Sequence, residues 1–360
     1  MGVGVRVAVC LGAAGAVLAC PLAAQARTKT VLIGVPAASQ KAFQNVGSDA
    51  NDFFPHGVTI RAGDRVRFKP TGEFHSVDFP ARGQARLPLI TPTGQKVAGA
   101  LDAAGSPFWF NGQDQVAFNP VLGKGIFGKH VSYNGRRRVA SGLPLANNPK
   151  PFTINFSKPG RYTYFCDVHP GMKGVVRVLG RRGRVPSARA DRRALNRQLR
   201  RDLRTARTLA ATTPPSGTVD VGVHGPGGVE LYGMVPGNVT IPAGTTLRFR
   251  MSPGSTEEHT ATFGPGNPEN DPASYLGQIA ASFQGAGPFD PRAVYPSQPP
   301  PTIGALSPAL HGNGFWNSGV MDTSAATPLP GSGAVTFSAK GTYQYFCMIH
   351  PFMHGTITVQ

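Results

Sequence analysis

"YFCDVHPGMKG" spans residues 164–174, and "YFCMIHPFMHG" spans residues 345–355. Each phrase sets one Cys, one His and one Met within seven positions, close behind a pair of aromatic residues. The chain holds four cysteines, Cys10, Cys20, Cys166 and Cys347, so two of them stand in the same repeated context. Two cysteines in an oxidising compartment can form a disulfide. A disulfide would give the accompanying His and Met no purpose, so the phrase reads better as a ligand loop used twice.

The repeat extends well beyond the loop. "VTIRAGDRVRF" (58–68) matches "VTIPAGTTLRF" (239–249), and "HSVDF" (75–79) matches "HTATF" (259–263). "FSKPGRYTYFC" (156–166) matches "FSAKGTYQYFC" (337–347), and "GVVRV" (174–178) matches "GTITV" (355–359). The order is the same in both halves, and the interval from His75 to Cys166 nearly equals that from His259 to Cys347. Alternating apolar residues, β-branched and aromatic enrichment and Gly/Pro punctuation predict β-sandwiches in both copies. With 46 Gly and 34 Pro, the composition suits a turn-rich fold rather than a helical bundle.

Cys166 closes the alternating run "RYTYFC", so a sheet sets its direction. His169 and Met172 follow at three-residue steps, and Pro170 stiffens the turn by fixing its φ and removing an N–H. Thiolate, imidazole and thioether can then meet at one point. A further arm is expected from a separate strand, which His75 opens; His259, Cys347, His350 and Met353 repeat the pattern. Two His, a Cys thiolate and a weak axial Met form the donor set of a blue-copper electron-transfer site. Thiolate and thioether are soft donors that suit Cu(I), while imidazole serves both oxidation states. Structural zinc prefers closed sets of several Cys or His, and iron–sulfur clusters need more than one Cys per half. A lone C-x-x-H would be weak, but C-x-x-H-P-x-M after an aromatic strand, twice, is specific. His56, His130, His224, His311 and His354 are read as non-ligands.

At these residues each half resembles a cupredoxin domain of the plastocyanin/amicyanin group, and "CMIHPFM" is similar to the short ligand loop of amicyanins. The resemblance covers the strands and ligand positions of both halves. It leaves out the first 26 residues, an Arg-rich connector and two long insertions at 80–153 and 264–333. It implies an all-β chain of two eight-stranded Greek-key β-sandwiches with copper at one end of each. One type 1 ion would rest on His75, Cys166, His169 and Met172, the other on His259, Cys347, His350 and Met353. The expected division is a signal peptide at 1–26, cupredoxin domains at 30–180 and 217–360, and a basic helical linker at 181–216.

Two-domain cupredoxins also include nitrite reductases and multicopper oxidases, which couple a blue copper to a second centre through His residues beside the Cys. Here Cys166 is flanked by Phe165 and Asp167, and Cys347 by Phe346 and Met348; no H-x-H pair occurs. The expectation is therefore a carrier and not an enzyme, working with an unidentified redox partner protein. A copper storage, delivery or sensing module uses the same ligands, so motifs do not separate it. Gly171 becomes Phe352 and Lys173 becomes His354 between the loops, which predicts unequal sites. The insertions carry Trp109 and Trp316, expected to pin them onto their sandwiches.

Lys plus Arg number 36 against 18 acidic residues, a net charge of +18 that favours anionic partners. Residues 181–208 hold eleven Arg and two Asp, half of that net charge. Leu195, Leu199 and Leu203 recur there every four residues, with Ala206 and Ala210 in line, predicting an amphipathic helix over 188–210. Its Arg face is either solvated or a surface for anionic lipid, cell-wall polymer or an acidic redox partner. Nucleic acid is not expected, since aromatics are not interleaved there. At the N-terminus, Arg6, the apolar run 7–20 and "AAQA" (23–26) predict an export signal cleaved after Ala26. An alternative takes Cys20 as a lipid-anchored start. Either places the protein in the periplasm, cell envelope or medium, with no transmembrane span in the mature chain.

Overall fold

The computed structural model describes residues 26–360 except 73, 147, 286 and 324–328. The export-signal reading, with Cys10 and Cys20, lies outside the described residues.

Two pairs of sheets dominate. In the first half, strands Phe53–Phe54, Thr28–Ile33, Arg65–Pro70, Phe152–Phe156 and His130–Tyr133 form one sheet, in that spatial order. Val139–Ala140, Asp78–Phe79, Gly160–Phe165, Lys173–Leu179 and Gly57–Arg61 form the other. Alternation decides what faces inward: Gly174, Val176 and Val178 are buried while Lys173 and Arg177 are exposed. Val66, Phe68, Ile154 and Phe156 meet Val58, Ile60, Phe79, Tyr164 and Val176 in one core. The second half repeats this with Thr246–Arg250, Ser332–Phe337 and Thr218–Gly225 facing Asn238–Ile241, His354–Val359, Gly341–Phe346 and Thr262–Phe263. In both halves the connections 61–65 and 156–160, or 241–246 and 337–341, pass from one sheet to the other, as a Greek-key sandwich requires.

The repeated phrase also explains its own glycine. Tyr164 pairs across the ladder with Gly174, and Tyr345 with Gly355. A Cβ on Gly174 would come within 2.3 Å of the Tyr164 ring, and one on Gly355 within 2.4 Å of the Tyr345 hydroxyl. Only glycine lets these buried tyrosines lie across the neighbouring strand.

The halves are stitched together. Ser48–Ala50 adds an antiparallel edge strand to Val229–Val235 of the second half, with Ala50 opposite Val229 and Ser48 opposite Leu231. The connector forms a helix, Ala188–Leu209, capped by Ser187, whose Oγ accepts from the Ala190 N–H at 3.3 Å. Ala206 and Leu209 are buried, and Leu195, Leu199 and Leu203 partly so, against Phe43, Phe54, Val223, Val229 and Leu231. Gln198, off the leucine line, clamps the helix: its Nε2 donates to Asp52 Oδ2 at 2.9 Å and to the Phe53 carbonyl at 3.0 Å. All eleven Arg of 181–208 are exposed.

The insertions depart from expectation in one respect. Trp316 is buried in the second core and donates to Gln298 Oε1 at 2.9 Å, so it does pin its segment to its sandwich. Trp109 instead donates to the Pro296 carbonyl at 2.8 Å, in the other insertion. Val97, Phe108 and Phe110 join Leu276, Ile279, Phe283 and Phe289 in a further core that also takes in Phe346 and Met348. The two insertions thus share a core, which no within-half pattern reveals, while Leu122, Tyr133 and Leu143 of the first pack into its own sandwich. Phe110 is fully buried and stacks on Phe108 and Tyr295 with centroids 4.7 and 5.5 Å away. Phe110→Ala is expected to cost about 3–5 kcal/mol, read as a lower denaturant midpoint, with both ligand loops intact by thiol accessibility.

Candidate metal centres

Each ligand loop is closed by its own backbone. The Cys166 N–H donates to the Met172 carbonyl at 3.0 Å, and the Met172 N–H to the His169 carbonyl at 3.1 Å. Cys347, Met353 and His350 repeat these bonds at 3.0 and 2.8 Å. The segment carrying the other His is brought alongside by one antiparallel pair in each half, Phe165 opposite Asp78 and Phe346 opposite Thr262. His75 precedes the short strand Asp78–Phe79 rather than opening it, and His259 is bridged to Met321.

Donor atoms converge in both places. The groups His75, Cys166, His169 and His259, Cys347, His350 each bring one imidazole nitrogen per His and one sulfur within 4.8 Å of one another. In the first, His75 Nδ1 lies 2.8 Å from His169 Nδ1, and Cys166 Sγ lies 3.6 Å from the latter. In the second, Cys347 Sγ lies 3.6 Å from His259 Nδ1 and 3.8 Å from His350 Nδ1. Met172 and Met353 are buried in the same cores, one at each loop end. Both cysteines are buried and free of disulfides. A buried thiol with two imidazoles turned toward it through the same nitrogen fits a soft or borderline cation. The five remaining His lie elsewhere: His56, His224 and His311 face Asp52, Glu230 and Asp102, while His130 and His354 are exposed.

Two sets of neighbours were not read from the sequence. The backbone N–H of Ser76 donates to Cys166 Sγ at 3.3 Å, and that of Thr260 to Cys347 Sγ at 3.4 Å. Their hydroxyls in turn accept from the N–H of the residue after each Cys, Asp167 and Met348, at 2.7 and 2.8 Å. The signal was a hydroxyl residue directly after each His, "HS" and "HT".

The second is Glu257, which is 2% exposed. Its Oε1 lies 3.1 Å from His169 Nε2, and its Oε2 lies 3.7 Å from His350 Nε2. Asn51 Nδ2 and the Tyr232 hydroxyl both donate to Oε1 at 2.5 Å. The two clusters therefore face each other across one carboxylate. A cleft of about 480 Å³ beside them is lined by His75, His169, His350, Tyr232, Phe74 and Phe352.

The electrostatics follow these distances. Burial opposes ionisation of Cys166, but the hydrogen bonds and charges of His169 and His75 outweigh it and hold the thiol well below its ordinary value. Burial pushes the Cys347 thiol up, only partly offset by N–H donors from Thr260 and His350. His169 is raised well above its usual value: burial works against its charge, but Glu257 wins. Burial lowers His350, whose gap to the carboxylate is wider, and burial with the His350 charge pushes His259 down to about 3. Glu257 itself is held far below the carboxylate range, because the charges of three histidines, His169 foremost, overcome its burial.

No family model matches the chain, and no curated protein matches it. Among solved structures, it is similar to amicyanin from Paracoccus versutus, at 21% identity over 42% of this chain and 88% of that one, with a TM-score of 0.22. It is similar to plastocyanin from Dryopteris crassirhizoma at 20% identity, over 40% and 99% of the two chains, TM-score 0.21. Auracyanin A from Chloroflexus aurantiacus matches at 19% identity, over 40% and 96%, TM-score 0.24.

The loop difference at Gly171 and Phe352 now has a cause. Gly171 has a φ of 106°, and a Cβ there would come within 3.0 Å of Thr256 Cγ2 in the other half. Phe352 is 53% exposed at the mouth of the shared cleft. Gly171→Phe is thus expected to push Thr256 and Glu257 away and to weaken metal uptake at the first cluster roughly tenfold or more, about 1.4 kcal/mol. Phe352→Gly should leave metal uptake at the second cluster intact. Metal titration of the two variants checks the asymmetry.

Proposed function

We propose that the chain is an exported electron carrier of cupredoxin type with two type 1 copper ions. One is held by His75, Cys166, His169 and Met172, the other by His259, Cys347, His350 and Met353. The carrying observation is that both repeats deliver a buried Cys Sγ and two imidazole Nδ1 atoms to one point, within 4.8 Å. Copper bound there supplies one-electron Cu(II)/Cu(I) chemistry. The protein's own part is to keep the donors nearly still. The sheet pairs fix both His segments, the Ser76 and Thr260 amides hold the sulfurs, and full burial of both Sγ atoms excludes water. Donors that move little suit electron transfer, because little has to rearrange when charge changes. The same enclosure favours keeping the ion over handing it on. Phe165, Asp167, Phe346 and Met348 stand where a coupled enzyme has His, which supports a carrier.

In this reading residues 30–180 and 217–360 are the two copper domains, and 1–26 direct export. Among the described residues no helix is long and apolar enough to cross a membrane. The connector's Arg face supports docking of an acidic redox partner. Lys173, Arg197, Arg201 and Arg204 line a cleft of about 810 Å³ that also touches Gly171 and Met172 of the first ligand loop. An acidic surface seated there would lie beside that site.

Copper-loaded protein is expected to hold two coppers per chain with an intense thiolate-to-copper band in the red. Cys166→Ser and Cys347→Ser should each remove one copper and part of the band; a colourless protein would sink the reading. A redox titration should resolve two potentials. Electron transfer from an acidic protein donor should slow as salt rises, and slow roughly tenfold in Arg197→Glu/Arg204→Glu. Transfer from a small neutral reductant should not change.

A further inference from the structure

All four ligand histidines turn Nδ1 toward a sulfur-containing cluster, which leaves Nε2 as the outward N–H. Such an N–H normally finds its own carboxylate or carbonyl, which fixes the ring. Here a single buried side chain stands before two of them, one from each cluster: Glu257, with Oε1 at 3.1 Å from His169 and Oε2 at 3.7 Å from His350. Its position is held from both halves, by Asn51 of the first and Tyr232 of the second. Asn51 in turn follows Ser48–Ala50, the strand that crosses between the halves, and its N–H donates to the Gly228 carbonyl at 2.8 Å. Glu257 also precedes His259 by two residues, so it is tied covalently to the second cluster and by hydrogen bonding to the first.

We propose that Glu257 is a positioning residue shared by the two sites and that it makes them one redox unit. This rests on the two-copper reading above. Its charge favours the oxidised state at both sites, because a buried anion near a cation is weakly screened. The chain His169–Glu257–His350 is the path by which an electron that enters at one site reaches the other. In that exchange the donor site is oxidised by one electron and the acceptor site reduced by one. No bond breaks, and both Nε2 protons stay on their rings. The domain packing thereby gives the molecule an internal route that two separate carriers would lack.

The test uses the full chain loaded with copper. Potentials are measured for the first site in a Cys347→Ser background and for the second in a Cys166→Ser background, each with and without Glu257→Gln. Loss of the charge is expected to raise the reduced-to-oxidised ratio at a fixed applied potential roughly tenfold at both sites, with each band kept. Glu257→Asp, which restores the charge, should return the ratio at least in part. A ratio that moves at one site only, or at neither, overturns the shared role. For the path, Met353→Gln separates the two bands through the axial group, and flash reduction delivers less than one electron per chain. Re-equilibration is expected at a rate independent of protein concentration and at least tenfold slower once Glu257→Ala is added. A rate proportional to concentration, or one unchanged by both Glu257→Ala and Glu257→Gln, overturns the path. A chain that takes up two coppers with normal bands but fails these tests refutes the coupling alone. A chain that takes up none refutes the two-copper reading together with it.

Discussion

A carboxylate removed from water must be met by donors, and Glu257 is met from four directions: His169, His350, Asn51 and Tyr232. Leaving such a charge without its partners would cost about 3–5 kcal/mol. That cost falls on any arrangement that separates the halves, because two of the four groups come from each. The crossing strand Ser48–Ala50 and the connector helix serve the same end by fixing how the sandwiches approach. The relative position of the ligand loops follows from the need to satisfy one buried anion.

That constraint also breaks the symmetry of the repeat. Both halves use the same registers, loop closures and amide-to-sulfur bonds, so the same donor types converge in each. Their outer sides cannot match, because each loop meets something different. The first lies against Thr256 and needs glycine at 171; the second ends at an open cleft and carries Phe352. The thiol of Cys166 is held down by His169 and His75, whereas burial pushes the thiol of Cys347 up and lowers both of its histidines. Inequality of the sites is thus a property of their packing as much as of their loops.

The donor sets were legible in the sequence because a β-strand, a ligand loop and a repeat all act over short range. Cys166, His169 and Met172 occupy one tight turn, and periodicity alone placed the segments that hold His75 and His259, although each His precedes its strand instead of opening it. The connector helix was legible for the same reason, its leucines recurring with the helical period, and it ends within one residue of expectation. What escaped was long-range. Trp109 bonds to Pro296, far along the chain in the other insertion. Gln198 fixes the helix through contacts that no leucine stripe announces.

Glu257 belongs to that second class. It stands two residues before His259, as Glu73 stands two before His75, and in the sequence neither differs from an ordinary polar residue at a strand entrance. By itself the sequence determined the β-sandwich repeats, the basic helix between them and which Cys and His side chains gather into the two candidate clusters. Those depend on neighbours within a turn or a strand, where the alternation of side chains settles direction. Only the tertiary structure decided that the two clusters face one another, that the insertions share a core, and that one carboxylate stands before both. These depend on burying apolar surface and satisfying a charge across the halves, and that balance has no local signature.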